Sequence, residues 1–171
     1  MLSKKMEEAL NKQVNAEFYS SYLYLSMSAD FAAKNLEGFA SWMQIQAQEE
    51  WTHGMKIYNY ILEKGGKVKL EVIEAPQTSW KKAVDAFDTT LKHEQHVTGL
   101  INDLASLAID ERDHATGIFL QWFITEQVEE ESTASGILEK LKMVGDNPQG
   151  LFMMDSHLAA RQASVADAAA E

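Results

Sequence analysis

The chain has 171 residues, of which 46% are hydrophobic, and it contains no cysteine. This length fits one domain that buries a core without disulfides, and the absence of cysteine excludes thiol catalysis and cysteine-held iron–sulfur clusters. The formal net charge of −11 argues against nucleic acid as a partner, because phosphate binding needs lysine and arginine, and it suits a protein that attracts cations.

The N-terminal segment carries Lys4, Lys5, Glu7 and Glu8, and no apolar run follows it. We therefore expect neither a signal peptide nor a membrane-spanning segment. On the same grounds we predict a cytoplasmic protein that has no membrane among its partners.

Long helical periodicity dominates the sequence, and only two prolines interrupt it. The spacing predicts five helices, which in chain order cover about 3–34, 37–64, 79–109, 110–144 and 148–161. The first four are long enough to form the sides of one bundle, and the fifth is short.

The expected helix ends come from capping residues and glycines. Ser3, Ser79 and Asp110 are the predicted N-terminal caps of the first, third and fourth helices. The two glycines at 65–66 stop the second helix, and residues 67–79 form a long connection. Short links within each pair and one long link between the pairs predict an all-α four-helix bundle with one long crossover.

Four glutamates interrupt the apolar stripes, one near the middle of each long helix: Glu17, Glu50, Glu94 and Glu130. The same-face neighbours of Glu94, for example, are all apolar. Burying a carboxylate costs several kcal/mol unless it is protonated, paired or bound to a metal. One such residue can be a misplaced surface acid, but four of them, one on each helix, predict a shared site inside the bundle.

The spacing around these acids indicates metal ligands. Glu50 and His53 lie three residues apart, which places a carboxylate beside an imidazole, and Gln127 and Glu130 repeat the spacing on the fourth helix. Four carboxylates and one imidazole suit two divalent first-row metals, and two Fe(II) ions would balance the charge. Tyr24, one heptad after the acid of the first helix, is placed to supply a proton or an electron.

A second acidic group lies beside these candidates and consists of Glu49, Glu126 and Glu129. On spacing alone, an acidic face in solvent is the favoured interpretation, with a third and weaker metal site as the alternative. His93 and His96 imitate a zinc-protease motif, but the second histidine lies one residue too early to share the face of the first. We interpret both as surface or interface histidines.

At these residues the chain resembles the non-haem ferritins of prokaryotes. The positions that carry the resemblance fall where that family keeps its ferroxidase centre, and they are Glu17, Tyr24, Glu50, His53, Glu94, Gln127 and Glu130. The segment 126–131 is also characteristic of the family. The resemblance covers residues 1–161, which it marks as one ferritin-like di-iron domain, and we predict that residues 162–171 form a flexible tail.

The resemblance implies an iron-storage subunit that acts as a ferroxidase. Members assemble as a shell of 24 subunits with octahedral symmetry, oxidise Fe(II) with O₂ or H₂O₂, and store the ferric product as a mineral inside. The fifth helix is apolar enough to need burial, which is consistent with packing around a four-fold axis of such a shell.

The family's ligands carry over by position. The implied ligands are Glu17, Glu50 and His53 for the first iron, and Glu50, Glu94 and Glu130 for the second, with Gln127 close by. Glu49, Glu126 and Glu129, together with Glu130, match a third iron site of the prokaryotic members, which replaces the interpretation as a solvated face. Tyr24 matches a tyrosine that is an electron donor in oxygen reduction.

Two departures limit what the resemblance implies. Haem-containing bacterioferritins have methionine at the position of Trp51 and a second Glu-x-x-His motif where this chain has Gln127 and Glu130, so no haem is expected. Animal ferritins have acidic channel residues at the positions of Gly117 and Leu120, so iron entry by that three-fold route is not expected here.

Three alternatives are also compatible with the sequence. A non-storing di-iron oxidase or peroxidase would share the ligands but lack the shell, although rubrerythrin-like members usually add a cysteine-ligated iron. A DNA-protecting miniature ferritin would build its site between subunits and often carries a basic tail. A plain structural bundle would gain stability when its buried acids are replaced by apolar residues.

Overall fold

The computed structural model describes residues 2–162, so the predicted tail beyond Gln162 lies outside the described residues. The helices are α1 (Lys4–Ala33), α2 (Glu37–Glu63), α3 (Ala83–Asp110), α4 (His114–Val144) and α5 (Pro148–Leu158). Residues 2–162 contain no strand, which confirms the all-α prediction. None of the described helices is both long and apolar enough to cross a bilayer.

The predicted cap at Ser79 is wrong. Trp80 is buried, and its main-chain N–H donates to Asp30 Oδ2 at 3.2 Å, which holds the chain outside a helix at that point. The helix α3 therefore begins later, after Lys82, whose N–H donates to the Asp85 carboxylate at 3.0 Å. A tertiary contact has outweighed the local capping preference of serine.

The predicted cap at Asp110 is also wrong, because α3 continues through that residue. Arg112 adopts a positive φ of 56° and turns the chain. Asp113 then caps α4, since its carboxylate accepts the main-chain N–H of Thr116 at 3.1 Å and the hydroxyl of the same residue at 2.6 Å. Ser3 caps α1 as predicted by accepting the N–H of Met6 at 3.0 Å.

The long crossover runs along the full length of α1. Near the start of that helix, the Asn11 side-chain amide donates to the main-chain oxygen of Lys67 at 3.0 Å. Near its end, the Ser26 hydroxyl donates to the oxygen of Gln77 at 2.7 Å. The connection therefore returns the chain to the far end of the bundle, where α3 begins.

Two apolar clusters fill the bundle, one on each side of a polar middle layer. Phe39 and Phe87 belong to the first cluster, and Leu10, Ile61 and Leu120 belong to the second. The four predicted glutamates lie in the layer between them, at the middle of their helices. The apolar clusters thus hold the helices rigidly on both sides of the polar site.

The short helix α5 lies against the start of α2. Asp155 accepts the N–H groups of Gly38 at 2.8 Å and Phe39 at 3.0 Å, and a Cβ at Gly38 would lie 1.8 Å from the Asp155 carbonyl oxygen. Only glycine permits this approach. On the outer side of α5, Phe152 and Met153 are each 72% exposed in the single chain.

Candidate metal centre

The middle layer gathers side chains from all four long helices. The buried members that were predicted as metal ligands are Glu17, Glu50, His53, Glu94, Gln127 and Glu130. Each of them lies on the helix face that packs into the bundle. The bundle therefore brings six polar side chains from distant parts of the sequence into one buried place.

Two groups in this layer have the geometry of metal sites. One oxygen or nitrogen atom from each of Glu17, Glu50 and His53 lies within 4.8 Å of the others, and the same holds for Glu50, Glu94 and Glu130. Glu50 is common to both groups, so one carboxylate lies between two adjacent sites. These are the same two sets of residues that the resemblance to prokaryotic non-haem ferritins implies for the two irons. That they bind iron stays a prediction.

Of the second acidic group (Glu49, Glu126 and Glu129), only Glu126 lies in a compact cluster of possible ligand atoms among the described residues. Glu126 forms a third cluster with His53 and Glu130, again within 4.8 Å. Glu49 and Glu129 join Glu126 only as lining residues of a cavity of about 190 Å³ that also reaches Glu130. We call this space the acidic cavity, and Arg161 also lines it.

Two glutamines that the sequence argument missed orient the buried acids. Gln13 donates to Glu17 Oε1 at 2.8 Å. Gln46 donates from Nε2 to Glu50 Oε1 at 3.1 Å and to Glu130 Oε1 at 2.9 Å. Each glutamine lies four residues before the acid on its own helix, and this spacing was a signal available in the sequence.

Gln127 and Tyr24 both contact Glu94. The amide nitrogen of Gln127 donates to the Glu94 main-chain oxygen at 3.1 Å, to Glu94 Oε2 at 3.3 Å and to the Thr98 hydroxyl at 3.2 Å. The Tyr24 hydroxyl donates to Glu94 Oε1. In this arrangement the amide nitrogen of Gln127 holds Glu94 in place, and ligation of a metal by Gln127 stays a prediction.

The sequence matches the model of the ferritin-like domain over residues 7–144. The chain belongs to the ferritin family. It is 44% identical over 161 residues to the bacterial non-heme ferritin of Bacteroides fragilis (strain 638R), a match that covers 94% of this chain and all of that relative. It is 37% identical over 158 residues to the bacterial non-heme ferritin of Campylobacter jejuni, with 92% and 95% covered.

Solved ferritin structures agree with this assignment. An open pore ferritin from the hyperthermophilic archaeon Archaeoglobus fulgidus superposes with a TM-score of 0.94 at 46% identity, covering 95% of this chain and all of the other. A humanized archaeal ferritin gives a TM-score of 0.95 at 44% identity, with 96% and 99% covered. Membership of the ferritin family supports a role for the chain in iron storage.

The electrostatics of this ferritin favour cations in the middle layer. Burial raises the pKa values of Glu17, Glu50 and Glu130, and repulsion from Glu94 adds to the increase at each of them. The buried Oε2 of Glu130 has no hydrogen-bond partner among the described residues. Burial also raises the pKa of Tyr24, so the phenol stays protonated. The donor set and the unpartnered oxygen both fit divalent metal ions.

The two histidines beside Glu94 differ in exposure. His93 is half-buried, its Nε2 lies 2.7 Å from the Ser20 hydroxyl, and its ring packs against Tyr19 and Tyr24. Burial lowers its pKa. His93 is shielded in this way because α1 covers the face of α3 next to Glu94 as well as the face that contains Glu94. His96 is exposed, as the sequence suggested.

Binding of Zn²⁺ to this ferritin should release protons, and fewer of them as the pH rises. A carboxyl group with a raised pKa is protonated below that pKa and must lose its proton to bind a metal, whereas above it no proton remains to be displaced. Titration of the metal-free protein at constant pH, at about pH 6 and about pH 8, measures the number released. The exposed Glu63→Gln variant should behave as wild type, and a release independent of pH would contradict the prediction.

Proposed function

We propose that this ferritin oxidises Fe(II) at a di-iron centre inside its own bundle and delivers the ferric product to a 24-subunit shell with octahedral symmetry. The observation that carries the proposal is that Glu50 belongs to two adjacent groups of ligand atoms. Carboxylates and imidazole suit divalent iron. Four buried glutamates also carry the charge that two Fe(II) ions would neutralise.

Fe(II) is the substrate in this proposal, and each buried group binds one ion. Glu17 and His53 hold the first ion, Glu94 and Glu130 hold the second, and Glu50 contributes to both. Each iron loses one electron, and O₂ takes up the two electrons with two protons to leave as H₂O₂. When H₂O₂ is the oxidant, the same two electrons and two protons break its O–O bond and yield two waters.

Tyr24 is proposed as an additional electron donor: when O₂ takes two electrons from the iron pair, one from Tyr24 and one from a third Fe(II), together with four protons, it yields two waters. Its hydroxyl already donates a hydrogen bond to Glu94, which is one of the proposed iron ligands. A phenol whose pKa is raised by burial gives up an electron most readily when its proton can leave at the same time, and the carboxylate of Glu94 is the acceptor in contact with it.

Glu49, Glu126 and Glu129 are proposed to bind a third and weaker iron in the acidic cavity. Glu126 also lies within reach of His53 and Glu130, so it connects the cavity to the iron pair. Iron can therefore pass between the buried centre and the edge of the bundle without leaving carboxylate ligands.

The proposal includes no haem, because the ligand pattern of the haem-containing relatives is absent from this sequence. It includes a homo-oligomer because storage needs an enclosed volume that one bundle lacks. Exposed apolar side chains on α5 support such an assembly. Cytoplasmic location and the absence of nucleic-acid partners stay predictions.

Aerobic loading with Fe(II), followed by size-exclusion chromatography, tests the proposal. We expect many ferric ions per chain to elute with the protein at the mass of a 24-subunit shell. Absorbance of protein and ferric iron, measured together across the column, gives the ratio. A small oligomer that retains only about two irons per chain would contradict storage and indicate a non-storing di-iron oxidase.

A further inference from the structure

Arg161 follows α5 and turns its guanidinium back into the acidic cavity. Its Nη2 forms an ion pair with the Glu49 carboxylate, and its Nη1 donates to Gln46 Oε1 at 3.0 Å and to the main-chain oxygen of Trp42 at 3.3 Å. The guanidinium carbon also lies 4.4 Å from the centre of the Trp42 ring. A cation built into the chain therefore occupies one side of this cavity.

The arginine also determines the orientation of Gln46. A guanidinium group only donates hydrogen bonds, so Gln46 must turn its oxygen toward Arg161 and its nitrogen toward the acids. That nitrogen donates to one oxygen each of Glu50 and Glu130. The second oxygen of Glu50 then faces His53 Nδ1 at 3.6 Å, and the second oxygen of Glu130 is left without a partner.

We propose that Arg161 competes with the third metal ion for Glu49. An ion held by Glu49, Glu126 and Glu129 would have to compete with the guanidinium, because Arg161 already pairs with Glu49 Oε2 and its positive charge repels a metal cation placed on the same carboxylate. Arg161 thereby weakens the third site. The inference rests on the proposed function, since it takes these three acids as the ligands of a third cation.

Competition at Glu49 reaches the iron pair through Gln46. When the guanidinium leaves, the Gln46 oxygen loses its donor, and the amide is no longer held with its nitrogen toward Glu50 and Glu130. Filling the third site therefore loosens the hold of the protein on the acids of the iron pair. By thermodynamic reciprocity, the state in which Gln46 donates to Glu50 and Glu130 binds the third ion more weakly.

Calorimetric titration of the metal-free, assembled full chain with ZnCl₂ tests this competition without any redox step. We expect wild type to take up two equivalents per chain tightly and a third more weakly. In Arg161→Gln the dissociation constant of the third equivalent should fall by about tenfold, within the range typical of coupled sites, while the first two change less. Arg161→Lys retains the positive charge, so the dissociation constant of its third equivalent should lie close to that of wild type.

A matched control separates local competition from net charge. Arg112→Gln removes the same charge from an exposed turn and should leave the third equivalent unchanged. Arg161→Met keeps the packing on Trp42 without the charge, so it should tighten the third equivalent as well, and it serves if Arg161→Gln does not assemble.

The outcomes distinguish this inference from the function on which it rests. If wild type takes up the tight pair but neither Arg161→Gln nor Arg161→Met tightens the third equivalent, the competition is overturned and the proposed function stands. An equal shift in Arg112→Gln would overturn it too, because net charge would then explain the effect. If wild type takes up no tight pair, both the inference and the proposed function fail.

Discussion

Glu50→Gln is expected to abolish rapid Fe(II) oxidation while making the metal-free protein more stable. Both effects come from one carboxylate. Glu50 is the only residue common to the groups proposed to bind the two irons, so its loss weakens both sites at once. Stopped-flow absorbance after mixing with Fe(II) and air should show the loss of the fast phase, a decrease of about 100-fold or more for a residue of this kind.

The gain in stability follows from the raised pKa of Glu50. The folded chain holds this carboxyl away from water and close to Glu94 and Glu17, so ionising it costs free energy that the unfolded chain does not pay. Glutamine has nearly the same shape and can still accept the hydrogen bond of Gln46. Removing an unneutralised buried charge of this kind is expected to stabilise by about 1–3 kcal/mol per chain.

The pH dependence of this gain has a definite sign. The folded-state pKa lies above the ordinary value of 4.5, so the wild-type chain loses stability as the pH rises above 4.5 and through the raised pKa. Below that window Glu50 is protonated in both states, and the two proteins should differ little. The difference in thermal midpoint between Glu50→Gln and wild type should therefore grow as the pH rises.

Glu63→Gln provides the matched control on the same helix. Glu63 is exposed at the end of α2, so the substitution removes the same charge without touching the middle layer. It should change neither oxidation rate nor thermal midpoint appreciably. Retention of the fast phase in Glu50→Gln would refute its assignment as the shared ligand. A loss of stability in the metal-free variant would show that its charge is already neutralised within the protein.

The buried acids were predictable because a carboxylate inside an apolar helical stripe has few low-energy explanations. Glu94 illustrates this, since Phe87, Leu91 and Val97 on its face are apolar. The nearby Lys92 is exposed and pairs with Asp88 instead. Helical periodicity alone placed it in the core, and the one-per-helix arrangement of the others indicated a common site. The bundle needed only correct pairing of its helices to bring them together.

Features that depend on tertiary contacts were not predictable in this way. Ser79 has the chemistry of a cap, but the buried Trp80 and its hydrogen bond to Asp30 hold the chain outside a helix there. Gln46 carried a local signal in its four-residue spacing from Glu50. Arg161 carried none, because it reaches α2 only after α5 has packed against the start of that helix. Long-range placement of this kind is invisible to periodicity.

Phe152→Asp is expected to prevent assembly of the shell and to abolish storage without abolishing oxidation of the first iron pair. Phe152 lies on the outer side of α5 and is 72% exposed in the single chain, a large apolar side chain that a partner copy should cover. Covering a phenylalanine stabilises by roughly 1.5–3 kcal/mol per copy. The substitution removes that contribution and, in the proposed shell, places like charges close together around the four-fold axis.

Oxidation should survive because all proposed ligands of the iron pair come from one chain. Size-exclusion chromatography combined with light scattering should show small oligomers of Phe152→Asp, and rapid mixing with Fe(II) should still show the fast phase. Phe152→Leu keeps an apolar side chain and should assemble and store iron as wild type does. If Phe152→Asp still formed a full shell, the prediction would be wrong, because this face of α5 would then lie outside the contacts between subunits. A fast phase lost together with assembly would mean that the iron pair needs a neighbouring subunit, which the ligand geometry of the single chain does not predict.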